Sequence, residues 1–281
     1  MKTSKRVLAV AGVLAAVGCL GCLGTAAARG FDFGNMLDKK YEVKTYEVSE
    51  GFDSMAFDLD IEDVNFQISN DGKTRVMCSE DDRFRHDVKV DGNCLKVHTN
   101  NTRRWFDNIG IVRNSPKITV VMPQKEFQAI DFVGDTSDLD IDGISTKSMK
   151  IEVDTGDIDI KNSSVMGDFR VKTSTGDVNL TEVKSANLYF DTDTGDITLE
   201  HALSQGVLDI KTSTGDVDLN DIDSSTGKIE TDTGDVSGNI LTSKIFYAKT
   251  STGDVNVPTS TQGGIYNITT STGDIEITVN K

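Results

Sequence analysis

Residues 172–178 read KTSTGDV, and the same heptapeptide returns at 211–217 and 249–255. Between these copies stands a second version: EVDTGDI from Glu152, DTDTGDI from Asp191 and ETDTGDV from Glu230. The glycine of Thr-Gly-Asp falls at 156, 176, 195, 215, 234, 253 and 273, a period of 19 or 20 residues. Aligned on that glycine, the repeats give columns with a physical meaning. Two positions after it stand Ile158, Val178, Ile197, Val217, Val236, Val255 and Ile275; four after it stand Ile160, Leu180, Leu199, Leu219, Gly238, Val257 and Ile277. Five before it the column reads Ile151, Val171, Phe190, Ile210, Ile229, Ala248, Ile268, and seven before it Met149, Phe169, Leu188, Leu208, Gly227, Phe246, Tyr266. A period of two on each side of a turn is the mark of half-buried strands. Each repeat therefore reads as strand, Thr-Gly turn, strand, and a less regular return carrying Val165, Val183, Leu203 or Ile222.

One such repeat has nothing to bury its apolar face against, whereas stacked repeats share a continuous core. The outward columns favour a parallel stack. Four positions before the glycine stand Glu152, Lys172, Asp191, Lys211, Glu230, Lys249 and Thr269. In a parallel stack equivalent residues lie about 4.8 Å apart, where like charges repel and opposite charges attract. Alternating sign suits that geometry and has no reason to arise in a meander of hairpins. The reading is an all-β single-stranded parallel β-helix, a solenoid of 19–20 residues per coil. Right-handed coiling follows from the crossover preference.

The chain has 281 residues and a formal net charge of −16. The segment before residue 30 holds four bases and no acid, which leaves 25 basic and 45 acidic residues in the body. Such a body repels phosphate backbones, so nucleic acid is excluded as a partner. Val7–Ala28 is uncharged, and as a helix it would span about 33 Å, enough to cross a bilayer. Lys2, Lys5 and Arg6 precede it and hold residues 1–6 in the cytoplasm. The expectation is a single-pass transmembrane anchor over 7–28 with the body outside the cytoplasm. Cleavage after Ala26-Ala27-Ala28, giving a secreted body, and lipid anchoring through Cys19 or Cys22 are the alternatives. The remaining organisation is a stalk over 29–40, a β-rich N-terminal cap with irregular coils over 41–129, and the β-helix over 130–281. Cys78 and Cys94 fall in the exported part, where either a disulfide or two free thiols fits the sequence.

Two stretches invite a functional reading. The repeat aligns Gly156-Asp157, Gly176-Asp177, Gly195-Asp196, Gly215-Asp216, Gly234-Asp235, Gly253-Asp254 and Gly273-Asp274 into a turn ladder of seven carboxylates. Calcium takes several oxygen ligands and is the one cofactor such a ladder would suit. The spacing matches neither an EF-hand loop nor the calcium β-roll nonapeptide. The preferred reading is structural, with glycine turning the chain and Asp or Thr oxygens accepting backbone N–H groups. The second stretch, NNTRRWFDNIGIVRNSPK at 100–117, breaks the repeat. Its Arg103, Arg104, Trp105 and Phe106 form either a partner-binding loop or a cover over the open end of the solenoid. No metal spacing involves His86, His98 or His201, and no nucleophile, phosphate-loop or zinc-protease motif occurs. A non-enzyme is expected, with no resident cofactor.

The apolar segment followed by RGFDF, the strand stretch YEVKTYEVSEGFDSMAFDLDIEDVNFQIS, the segment DGKTRVMCSEDD and the tandem TSTGDV/TDTGDV coils together resemble the bacterial putative-adhesin domain family. The resemblance covers most of the chain after the apolar segment. It implies a parallel β-helix in an extracytoplasmic envelope protein, and it supplies no catalytic residues. The expected role is binding or scaffolding at the cell envelope, with an envelope protein or glycan as partner. A membrane-tethered regulator or sensor of envelope stress and a polysaccharide-active β-helix enzyme are the alternatives.

Overall fold

The computed structural model describes residues 41–103 and 115–280. Segments 1–40 and 104–114, and with them the expected anchor and stalk, lie outside the described residues. Among the described residues no helix is long and apolar enough to cross a membrane.

The repeats build two long, mainly parallel sheets of 12 and 14 strands. In each coil, or rung, the strand before Thr-Gly-Asp joins the 14-stranded sheet and the strand after it joins the 12-stranded sheet. Met149–Thr155 and Ile158–Lys161 are one such pair. Both strands alternate, and their inward residues Met149, Ile151, Ile158 and Ile160 are buried in one core cluster that runs through every rung. Register is that of the sequence columns: Ile151 pairs Val171, Val171 pairs Phe190, Ile158 pairs Val178. The return residues Val165, Val183 and Ile222 are buried, whereas Leu203 is half-buried and Ala202 goes inside in its place.

A further inward column escaped the sequence reading. The residue three before the glycine has the parity of the core, so Val153, Thr173, Thr192, Thr212, Thr231 and Thr270 are buried. Thr231, Thr250 and Thr270 donate their hydroxyls to the carbonyls of Gly215, Gly273 and Gly234 on adjacent rungs. The second corner of the coil is equally regular. Asn162, Glu182, His201 and Asp221 each stand six residues after the turn glycine, with φ of 51–55°. Asn, Asp and His enter left-handed backbone more readily than other side-chain-bearing residues, so local preference supports this corner at Asn162, His201 and Asp221, while at Glu182 the stack imposes it.

The order of the rungs departs from the order of the chain. The sequence reading stacks the coils of Gly253 and Gly273 in succession. In the structure the last strand pair, Gly264–Thr272 and Ile275–Val279, lies between Thr226–Thr233 with Val236–Ile240 and Lys244–Thr252 with Val255–Asn256. Glu230 therefore faces Thr269, and Lys249 lies beyond it. The reason lies in side-chain size. The last coil carries Tyr266, Ile268, Ile275 and Ile277, all buried, while its neighbour offers Ala248, Val255 and Val257. Tyr266 also pairs with Gly227, where a Cβ would meet the tyrosine ring at 2.6–2.8 Å. The Tyr266 hydroxyl lies 2.7 Å from Ser224 Oγ, and the ring packs edge-on against Phe246. The bulkier coil takes the buried place, and the weaker one, which contains Pro258, forms the end rung. Gly263 and Gly264 let the chain return between rungs, since a Cβ on either would run into the carbonyl of Ser243 or Ser225.

At the other end the stack continues as a rung made of Ser54–Leu59 and Asp63–Ile68, parallel to Ala129–Thr136 and Leu139–Asp142. Chain direction then reverses. Thr74–Glu80 runs antiparallel to both Lys117–Met122 and Glu42–Val48, and Phe84–Asp91 runs antiparallel to Cys94–Asn101. Cys78 and Cys94 are free thiols, the first buried and the second half-buried.

Candidate functional site

The Thr-Gly-Asp column is a self-consuming hydrogen-bond ladder. The seven glycines have φ between 140° and 150°. The Gly156 N–H donates to Thr175 O at 2.9 Å, and the pattern repeats from rung to rung. Each aspartate N–H donates to Oδ1 of the aspartate on the neighbouring rung. Asp157 donates to Asp138, Asp177 to Asp157, Asp196 to Asp177, Asp216 to Asp196, Asp235 to Asp216, Asp274 to Asp235 and Asp254 to Asp274, all at 2.7–2.9 Å. One oxygen of each ladder carboxylate except that of Asp254, on the end rung, is thus committed to backbone. Asp138 extends the ladder by one rung. Its turn reads Thr136-Ser137-Asp138, so a search for Thr-Gly-Asp passes over it, although Ser137 stands 19 residues before Gly156.

The outward charge column is in register: Glu152 faces Lys172, Lys172 faces Asp191, Asp191 faces Lys211, and Lys211 faces Glu230. The next outward column places Arg170 over the ring of Tyr189, 3.8 Å from its centroid. Lys150, Arg170, Lys172, Tyr189, Lys211 and Lys228 line a shallow groove of about 350 Å³ on this face of the 14-stranded sheet. Lys150–Glu152, Arg170–Asp168 and Lys228–Glu230 form exposed ion pairs at 2.7–2.8 Å. Such pairs contribute little to stability, so this face is better read as a mixed-charge surface than as a stabilising device. The outward column of the opposite sheet reads Asp140, Asp159, Asn179, Thr198, Asp218 and Ser237, with no cation. Of the candidate loop, Arg104, Trp105 and Phe106 lie outside the described residues, and Arg103 is the last described residue before them.

The sequence reading passed over a buried polar cluster in the cap, because its members are scattered and share no spacing. Glu62 sits at the corner between Ser54–Leu59 and Asp63–Ile68, and its Oε2 accepts the N–H groups of Asp60 and Ile61. His86 Nε2 lies 2.7 Å from Glu62 Oε1, which also accepts the Thr99 hydroxyl. His86 Nδ1 lies 3.3 Å from Glu80 Oε1, which accepts the Tyr46 hydroxyl at 2.6 Å and the His86 N–H at 3.0 Å. Both ring nitrogens face carboxylate oxygens, which only accept. Burial acts to raise the pKa of both glutamates. For Glu62 the bonds from His86 and Thr99 outweigh it, and for Glu80 those from Tyr46 and the His86 backbone do. Both carboxyls are held below the ordinary glutamate value of 4.5.

A pH dependence follows. The unfolded chain takes up these protons near the ordinary glutamate value, and the folded cap only at lower pH. The cluster therefore contributes stability above pH about 4.5 and loses it as pH falls through the lower folded values. Melting temperatures measured on a descending pH series should fall in that acid window, and Glu62→Gln should flatten the fall. A wild-type curve that matches the variant's would count against the cluster's role.

The fold and its ladders define a class, the parallel β-solenoid closed at one end by antiparallel strands. The sequence matches the Toastrack DUF4097 family over residues 52–281, and the chain belongs to that family. No curated protein shows significant sequence similarity to it. Among solved structures, the chain is similar to a putative adhesin from Bacteroides fragilis, with TM-score 0.55 and 17% identity over 86% of this chain and 98% of that one. A putative adhesin from Parabacteroides distasonis gives TM-score 0.54 and 14% identity, again over 86% and 98%. At these identities the likeness is one of fold.

Proposed function

We propose that the chain is a non-enzymatic, membrane-anchored binding or scaffolding protein of the cell envelope, with its body outside the cytoplasm. The observation that carries the reading is the groove on the outer face of the 14-stranded sheet, where Tyr189, stacked under Arg170, shares the lining with Lys150, Lys172, Lys211 and Lys228 and with the acids Glu152, Asp191 and Asp209. The solenoid accounts for the aspartate ladder through its backbone bonds. It also accounts for the alternation of cations and acids along the column, but not for the outward ring of Tyr189 under Arg170, a cation–aromatic pair that suits contact with a glycan or a protein surface. The crystallised relatives named as putative adhesins are in keeping with a binding role. Right-handed coiling, the helix over 7–28 and a purely structural aspartate ladder belong to the same proposal, and calcium added to the protein should then produce neither heat nor a shift in melting.

The test has two parts. The full-length chain expressed in a bacterium should have its body cleaved by protease added to intact spheroplasts. Purified protein should retain an envelope component from cell extracts, and the double variant Arg170→Gln/Lys172→Gln, which adds no like charge to the column, should lose it at a melting temperature close to that of the wild type. A protected body would overturn the location. Capture indifferent to the double variant would overturn the assignment of the face.

A further inference from the structure

We infer that the cap holds a zinc-binding site formed by Cys78, Glu80 and His86, with Glu62 orienting the histidine. Cys78 and Glu80 are two residues apart on Thr74–Glu80, so both side chains point to the interior, where His86 on Phe84–Asp91 meets them. The ligand atoms of the three lie within 4.8 Å of one another, and all three residues are buried. The set is a thiol, an imidazole and a carboxylate, the donor types zinc takes in its mixed sites.

Three observations point to a metal here. The Cys78 thiol is fully buried and makes no hydrogen bond among the described residues. The 3.3 Å between His86 Nδ1 and Glu80 Oε1 is long for a charge-assisted hydrogen bond. It is also about the edge of a tetrahedron with two bonds of roughly 2.0 Å. The second nitrogen, Nε2, is directed at Glu62 Oε1 at 2.7 Å, the outer carboxylate partner that metal-bound histidines regularly have. The Tyr46 hydroxyl supports Glu80 in the same way. The outer oxygen of Glu80 lies 3.6 Å from the exposed Lys44 ammonium.

Zinc would take the Nδ1 lone pair of His86 and the sulfur of Cys78 as a thiolate, so binding should release protons to the buffer.

The experiment is zinc titration of the full-length chain by calorimetry in two buffers of different ionisation enthalpy, with cobalt as the spectroscopic probe. One metal per chain, release of protons to the buffer and a sulfur-to-cobalt charge-transfer band are expected. Cys78→Ser should abolish that band and weaken zinc binding at least about 10-fold, while Cys94→Ser should change neither. Glu62→Gln should weaken binding about 10–100-fold. Cys78→Ser is nearly isosteric, and its melting temperature without metal checks that it folds. No zinc uptake, no sulfur band, or binding unaltered in Cys78→Ser would overturn the site.

Discussion

Gly195→Ala is expected to destabilise the protein by at least about 3 kcal/mol and to abolish cooperative melting of the neighbouring rungs. Gly195 has φ 142°, a region that side-chain-bearing residues rarely enter. A Cβ there would also run into the carbonyl oxygen of Gly176 on the adjacent rung. Relief by backbone shift would break two bonds at once, that from the Gly195 N–H to Thr214 O and that from the Asp196 N–H to Asp177 Oδ1. A cost of that size is a large part of the stability of an ordinary domain. Gly51→Ala is the control. Nothing lies within 4 Å of its added Cβ, so a change within about 0.5 kcal/mol is expected. Urea denaturation of both variants decides the matter. Equal stabilities would mean that the turn column is not the tight corner described.

Tyr266→Ala is expected to cost about 3–5 kcal/mol, the range for emptying a buried aromatic site. Tyr266 is fully buried, fills the space left by Gly227, packs on Phe246 and meets Ser224 through its hydroxyl. It joins the inserted coil to the rungs on either side, so its loss should free the end rung as well. Limited trypsin digestion should then cut at Lys249 well before the body is lost. Tyr266→Phe removes only the hydroxyl contact and should cost about 1 kcal/mol. Tyr247→Ala, outward and 62% exposed, should stay within about 0.5 kcal/mol. A variant series in which Tyr247 and Tyr266 behave alike would contradict the inserted coil.

These two sites mark how far the sequence could be read. The glycine column and the apolar columns around it repeat at a constant interval, so strand, turn, face and parallel pairing were all legible. The order of the last two rungs was not, because both carry the same columns and register cannot tell them apart. What separates them is volume: Tyr266 needs a gap, and Gly227 is the small residue in its column. The buried threonines were hidden by chemistry, since a hydroxyl reads as outward until parity places Thr173 and Thr192 inside. The cap cluster was illegible for a different reason. Glu62, Cys78, Glu80 and His86 come from three segments, and only the antiparallel folding-back of 74–91 brings them together.

The central claim is that the repeats are rungs of one parallel stack whose last member is inserted between its two predecessors. Paired cysteines on the outer column test it most directly, in a background lacking the four native cysteines and with a reagent that bridges only adjacent thiols. Positions 230 and 269 face one another on neighbouring strands about 4.8 Å apart. Positions 230 and 249 lie two strands apart, about 9.6 Å. The pair Glu230→Cys/Thr269→Cys should bridge readily and Glu230→Cys/Lys249→Cys should not. Bridging of the second pair with the first silent would mean a stack in chain order, and bridging of neither would contradict the parallel stack itself.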